Sequence, residues 1–403
     1  MYKSLPLEAI ALNHPVPVNV WDPKGVLLLR KGECIISEQH RNHLMLHSPM
    51  VEEVDWQAWT YSYKAELDRM VRSNEPLSRI AGVNHPLEVR DVRDSTAAEG
   101  ASPDRVWADL QSALTTLLHQ GAEAAQFQER LGRMEQRVQA LWSRSADESM
   151  LVLVQLLFDQ SMGYSATHAL LCAGLCDMVA PGAGLSAVER TTLFRAALTM
   201  NIGMTRAHDS MARQMEELTD AQRVTVRQHP LVGADILRRV GVGDAQWLRL
   251  VEEHHEQPDG SGYPNGRQVD GLAHRLLQMA DVYVACISPR RSRGGLLSQN
   301  VARELYLGPD HKPDPLGALF VKSVGFYPPG SYVRLANDEV AVVARRGARA
   351  NTPWVYSIIG RQGLPLGEPA LRDTSQPSHE VRSSLAPGDV RLVLNLPKLL
   401  SKP

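Results

Sequence analysis

The chain has 403 residues, room for two or three domains, and its 43% hydrophobic content supports ordinary globular cores. A formal net charge of -2 gives no basic excess that would point to nucleic acid. Four scattered cysteines, Cys34, Cys172, Cys176 and Cys286, with no apolar leader before them, speak against a disulfide framework and for a reducing compartment.

Residues 1–85 are expected to form a small α/β unit. Val16, Val18 and Val20 alternate, Asp22-Pro23-Lys24-Gly25 supplies a turn, and Val26 to Leu29 reads as a second strand. Ser37 is placed to cap a short helix running to Leu46. Residues 86–102 read as a linker, with almost no large apolar side chain. From Ser102-Pro103, a helix-opening pair, the chain is predicted to be helical to about residue 325. Trp107, Leu110, Leu114, Leu117 and Leu118 make one apolar stripe, and Phe127, Leu131, Met134, Val138, Leu141 and Trp142 another. These two long helices also offer pairing faces for a homodimer. Met150 to Phe158 is the most apolar stretch. Gln155 interrupts it, and it is far short of the roughly 20 residues a spanning helix needs, so a soluble, cytoplasmic protein is expected. Cys172 and Cys176 read as small buried side chains on one helix face. After Pro328-Pro329-Gly330 the pattern turns to strands: a hairpin over Tyr332 to Val343, then Val355 to Ile359 and Val390 to Leu394, with a polar loop over 372–388. Arg345, Arg346 and Arg349 read as a solvated basic loop, or alternatively as a phosphate contact. The fold class is therefore mainly α: a helical bundle over 103–325, flanked by the N-terminal unit and a C-terminal β appendage over 326–403.

The densest chemical signal is Glu253-His254-His255-Glu256 followed by Asp259-Gly260-Ser261-Gly262-Tyr263-Pro264. Two adjacent histidines cannot share one helix face, so they suit a helix end, where two imidazoles converge on neighbouring cations. The glycines let the backbone approach a ligand, and Tyr263-Pro264 forms a rigid aromatic lip.

This string resembles the signature of the HD-GYP family, a branch of the HD phosphohydrolase superfamily whose members hydrolyse cyclic di-GMP with two or three divalent metals. His229-Pro230-Leu231-Val232-Gly233 resembles the family's His-Pro element. Ala280-Asp281-Val282-Tyr283, followed by Arg290 and Arg293, is similar to its last metal aspartate and the arginine-rich segment after it. Ser165 and His168 resemble the first metal histidine. The motifs cover about residues 150–345 in order, with the core between 150 and 325.

The defining His-Asp pair is missing. Ala197-Leu198-Thr199-Met200-Asn201-Ile202-Gly203-Met204 stands where the family has Leu-Leu-His-Asp-Ile-Gly-Lys, so the lost positions fall at Met200, Asn201 and Met204. Tyr164 holds a position that is acidic in some members, and Val284 replaces a second aspartate. A bridging carboxylate partly cancels the repulsion of two close cations, which neutral Asn201 does poorly, and the Met200 thioether suits neither iron, manganese nor magnesium. His208-Asp209 spells the missing letters but falls in a polar stretch expected to be a loop.

The resemblance implies metal positions at His168, His229, His254, His255 and Asp281. These either hold at most one ion (iron, manganese or zinc) or hydrogen-bond among themselves. Asp259, Gly260, Gly262, Tyr263, Pro264, Arg290 and Arg293 would form a substrate or partner loop. The leading expectation is a cyclic di-GMP signalling protein with a degraded metal centre that binds nucleotide, or a partner such as a diguanylate cyclase, without hydrolysing. The alternatives are an active phosphodiesterase with a reduced metal site and a scaffold that binds no nucleotide.

Overall fold

The computed structural model describes residues 2–5, 12–13, 16, 18–23, 26–30, 33–53 and 55–56, and then 102–401 apart from 160–162, 290–294 and 309–310. Two compact units result, Met1–Thr96 and Ala97–Pro403. The expected linker, Ser102 aside, lies outside the described residues, as do Arg290 and Arg293.

In the first unit β1 (Tyr2–Ser4), β2 (Val20–Trp21), β3 (Leu27–Leu29) and β4 (Met50–Glu52) form an antiparallel sheet in the order β1-β4-β2-β3. Val16, Val18 and Val20 are all buried, so their alternation marks one inward face, although the ladder begins only at Val20. The helix α1 (Glu38–Met45) starts where expected: the Ser37 hydroxyl accepts the His40 backbone N–H at 3.1 Å.

The second unit runs as helices α2 (Pro103–Gln120), α3 (Phe127–Arg144), α4 (Ala146–Asp159), α5 (Ser165–Val179), α6 (Ala187–Thr199), α7 (Thr205–Arg213), α8 (Asp220–Arg239), α9 (Ala245–Glu253), α10 (Leu272–Ile287), α11 (Ser298–Leu307) and α12 (Pro315–Val324). Pro103 opens α2 as expected, but the Ser102 side chain makes no capping bond. Capping boxes start α6 (Ser186 with Glu189) and α8 (Thr219 with Gln222). The helix α5 is buried on almost every side, because α2, α4, α6, α10 and α12 all pack on it. Gly174 lets the Trp142 indole of α3 lie against its backbone; a Cβ there would come within 1.9 Å of the ring. The apolar stripes of α2 and α3 are spent inside this core, from Trp107 to Leu118 and from Phe127 to Trp142, so they are not free faces for pairing two copies. No helix among the described residues is long and apolar enough to cross a membrane.

The C-terminal strands β5 (Tyr332–Leu335), β6 (Val340–Arg345), β7 (Trp354–Ile359), β8 (Pro365–Asp373) and β9 (Val381–Leu385) form an antiparallel sheet in the order β8-β7-β6-β5-β9, with a short helix α13 (Leu396–Leu400) after it. The expected β5–β6 hairpin and β7 are present. Two expectations fail. The polar stretch 372–388 is not all loop, because it holds the end of β8 and the whole of β9. Both are edge strands with partly exposed faces, and β8 carries Pro365 and Pro369, so neither shows a buried-strand pattern. Val390 to Leu394 forms no strand. Its alternation is real, since Val390, Leu392 and Leu394 pack on the helical core, but no neighbouring strand pairs with its backbone. Arg346 is also not a solvated loop residue: it binds Asp147 at 2.5 Å and the Ser323 carbonyl, tying the sheet to α4 and α12. Arg345 lies over the Trp354 ring at 5.0 Å.

Candidate metal centre

Pro230 sits inside α8 and has no N–H, so the Val226 carbonyl one turn earlier loses its helical donor. The Nδ1–H of His229 takes that carbonyl instead, at 2.6 Å. The end of α9 repeats the device. The helix stops at Glu253 and leaves its last carbonyls open. His254, at the cap, donates its Nδ1–H to the Val251 carbonyl at 2.7 Å, and His274 Nε2 and the Glu256 amide share the Glu253 carbonyl. A carbonyl oxygen only accepts, so Nδ1 carries the proton in both His229 and His254, and each Nε2 presents a lone pair.

Those two Nε2 atoms are 3.1 Å apart, with both side chains essentially inaccessible. Burial first, and then the neighbouring His255, lowers His229 to about 3; burial followed by His255 and His229 holds His254 well below its usual range. His255 is also pushed down, chiefly by burial. Two neutral imidazoles with facing lone pairs repel unless a cation lies between them. Two nitrogens bound at about 2.1 Å to one ion lie roughly 3.0–3.4 Å apart, which matches the observed spacing. With His255 they form a three-imidazole group whose donor atoms all lie within 4.8 Å of one another, and this group fits a divalent cation.

The remaining expected ligands fall in a second group. On α5, His168 donates Nε2–H to Asp281 Oδ1 of α10 at 2.8 Å, while the Tyr164 hydroxyl lies 3.2 Å from its Nδ1. Cys172, one turn after His168, completes this group, again with donor atoms within 4.8 Å of one another. Burial raises the Asp281 carboxyl. The hydrogen bond and charge of His168, joined by His255 and His254, outweigh that and hold it well below the usual carboxylate range. Burial, with Asp281 and Cys176 adding to it, pushes the Cys172 thiol up.

Met200, Asn201 and Met204 are all buried. Asn201 is 3% exposed, and neither its Oδ1 nor its Nδ2 has a hydrogen-bond partner among the described residues. The turn that carries it is pressed against α8: a Cβ on Gly203 would lie 2.3 Å from the His229 carbonyl oxygen and 2.6 Å from the Gly233 nitrogen. His208-Asp209 is not a loop pair. Both residues are buried on α7, where Asp209 accepts the backbone N–H groups of Tyr164 and Ser165 at 2.8 and 2.7 Å and binds His119 at 2.8 Å. A carboxylate at the start of α5 offsets that helix's open N–H groups and dipole, and fixes the position of His168. The His208 ring packs edge-on against Tyr164 and His168. The buried side of α7 mixes polar and apolar side chains: Thr205, His208, Asp209, Met211 and Ala212.

Residues 130–305 match the family model described as an HD domain. A cyclic di-GMP phosphodiesterase of Pseudomonas aeruginosa is 33% identical over 158 residues, 38% of this chain and 38% of its own length. The cyclic di-GMP phosphodiesterase response regulator RpfG of Xanthomonas campestris is 28% identical over 191 residues, 45% of this chain and 50% of its own length. A 3'3'-cGAMP-specific phosphodiesterase of Vibrio cholerae is 26% identical over 151 residues, 37% of this chain and 35% of its own length. Within the helical unit, residues 130–305 are thus similar to an HD domain, over less than half of the chain. The chain spans half or less of the length of each of these relatives.

The loop after the histidines is built around Glu256, a fully buried carboxylate that accepts the backbone N–H groups of Asn265 and Arg267 at 2.7 and 2.9 Å. Gly262 admits no side chain, since a Cβ would lie 2.4 Å from the His255 carbonyl oxygen. The Tyr263–Pro264 bond is cis. The Tyr263 ring stacks on His255 at 4.5 Å, with the exposed Arg227 guanidinium 5.6 Å from its centroid. Asp259 and Gly260 shape the turn: Asp259 accepts the Ser261 backbone N–H and hydroxyl, and Gly260 has φ +77°. The helical unit therefore brings His168, Asp281, His229, His254, His255 and Tyr263 to one locality. Sequence reasoning missed Cys172, Arg227 and the anchoring role of Glu256. The four-residue spacing of Cys172 from His168 was an available signal; the two-residue spacing of Arg227 from His229 was not, because residues two apart on a helix do not share a face.

Proposed function

We propose that this HD domain binds cyclic di-GMP beside a divalent cation held by His229, His254 and His255, and that it signals by binding without hydrolysis. The observation that carries this reading is the contrast between Asn201, buried with both polar atoms unsatisfied where a bridging carboxylate is expected, and the intact Gly-Tyr-Pro loop stacked on His255. Hydrolysis in such a centre needs closely paired cations to polarise the phosphate and acidify the attacking water; without the bridging carboxylate, nothing holds two cations close together. Binding needs less: a cation for the phosphate, an aromatic lip, and a free guanidinium. Arg227 forms no ion pair among the described residues and lies beside Tyr263, so it supplies the guanidinium. Cyclic di-GMP is taken as the nucleotide because the P. aeruginosa and X. campestris relatives are described as acting on it. A diguanylate cyclase or other protein could read the loaded state through the Gly-Tyr-Pro loop, and the N-terminal unit would relay it.

A second reading, residual phosphodiesterase activity, is favoured by the donor count. Two three-residue groups remain, enough in number for two cations. Calorimetric titration of cyclic di-GMP into metal-loaded full chain, with chromatography of the nucleotide afterwards, separates the two. Saturable binding, weakened in Arg227→Ala, with cyclic nucleotide recovered intact is the expected result. Linear dinucleotide in metal-dependent amounts would establish the second reading, and no binding with or without metal would overturn both.

A further inference from the structure

We propose that Cys172 is a metal ligand, forming with His168 and Asp281 a second, thiolate-containing site that selects zinc or another thiophilic divalent cation. This deepens the metal-centre reading above but does not depend on nucleotide binding.

His168 and Cys172 are four residues apart on α5 and so project from one face, and α10 packs on α5 and supplies Asp281. The Nε2, Sγ and carboxylate oxygen all lie within 4.8 Å of one another. Zinc bonds of about 2.0–2.3 Å would hold such atoms at roughly 3.3–3.8 Å, so the sulfur must close in by a side-chain adjustment while the Nε2–Oδ1 pair opens from 2.8 Å. The thiol is also unoccupied by other work. Cys176, one turn on, points its sulfur at the Leu276 carbonyl at 3.9 Å, whereas Cys172 has no hydrogen bond among the described residues.

Charge gives the second argument. A fully buried cation is tolerated only if its ligands neutralise it. Asn201 removes one negative charge from the centre, and a Cys172 thiolate restores it. With the Asp281 carboxylate and a neutral His168, a divalent ion is then balanced. The protons also balance. The thiol proton leaves to solvent as the sulfur–metal bond forms. His168 shifts its proton from Nε2 to Nδ1, where the Tyr164 oxygen at 3.2 Å turns from donor to acceptor. Soft sulfur in the set favours zinc or cobalt over manganese or magnesium.

The test uses chelator-treated full chain reloaded with cobalt(II) and read by absorption, with cobalt per chain measured on the same samples. Wild type is expected to show the near-ultraviolet thiolate-to-cobalt charge-transfer band. Cys172→Ser should lose the band and bind less cobalt, and Cys176→Ser, an equal disturbance one turn away, should keep both. Asp281→Asn retains the thiol and is expected to need about tenfold or more cobalt to reach the same band, so the site remains testable if the serine variant fails to fold. A wild-type spectrum without the band, a band that survives in Cys172→Ser, or one that titrates unchanged in Asp281→Asn would overturn the assignment. Absence of the band from wild type with cyclic di-GMP binding intact sinks this inference alone, and a wild-type band without nucleotide binding sinks only the nucleotide reading.

Discussion

The two halves of the metal centre are built on opposite principles. In the half made by His229, His254 and His255, backbone carbonyls take the Nδ1 protons, so the lone pairs face one another at 3.1 Å with nothing to satisfy them. In the half made by His168, Cys172 and Asp281, His168 already donates its Nε2–H to Asp281 at 2.8 Å, and that pair needs no ion to be stable. The first half is preorganised for a cation and strained without one. The second is content without one and must rearrange to accept it. A surviving set of ligand residues therefore says little about metal affinity until the tautomers and partners of those residues are known.

The largest expected effect breaks the self-satisfied half. His168→Ala leaves Asp281 as a buried carboxylate without its main partner and should cost about 3–5 kcal/mol in chelator-treated protein, read by denaturant unfolding. Acid titration separates the halves without mutation. Unfolded histidine titrates near 6.5 and folded His229 near 3, so the unfolded chain binds more protons between those values, and stability falls as pH drops through that window. The slope is about 1.4 kcal/mol per pH unit for each fully neutral histidine. Asp281 is shifted in the same direction from a lower starting point, so its contribution is complete above the unfolded value near 3.9 and is lost only on further acidification. Metal-free protein whose melting temperature stayed flat from pH 6.5 down to 4 would contradict the neutral imidazole group.

Packing around the lost pair gives the next effect. Gly203→Ala forces the Asn201 turn away from α8 and should cost about 1–3 kcal/mol while loosening His229, seen as weaker metal binding in the same titration. The smallest effect is the most diagnostic. His254→Phe removes a lone pair and one hydrogen bond at similar volume, and in metal-free protein it should change stability by no more than about 1 kcal/mol. Excess zinc at about 100 times its dissociation constant should stabilise wild type by about 2.7 kcal/mol and leave the variant's melting temperature much less changed. A large loss of metal-free stability in His254→Phe would mean that the imidazoles hold each other and not a cation.

Much of this was legible in the sequence, for physical reasons that differ by element. The helices from Pro103 to Val324 have deep apolar stripes, and periodicity found them. The helix end at His254-His255 followed from the geometry of adjacent side chains. The β8 and β9 edges were not legible because an edge strand buries little, and Val390 to Leu394 misled because alternation reports a buried face and not a pairing partner. His208-Asp209 read as loop because the stretch is polar in sequence, whereas both side chains are buried on α7 and Asp209 holds the start of α5. The five expected ligand positions do come together in the fold, but their division into two groups was not legible, since it depends on hydrogen-bond partners such as the Val226 carbonyl that only the fold supplies.

The most direct measurement is elemental analysis of anaerobically purified full chain, with cyclic di-GMP binding and hydrolysis measured on the same sample before and after Asn201→Asp. Bound divalent metal, saturable nucleotide binding and no linear product from wild type are the expected results, with any turnover appearing only when the bridging carboxylate is restored. Metal-dependent turnover by the unaltered protein, or a metal-free protein that binds no nucleotide, would contradict the account.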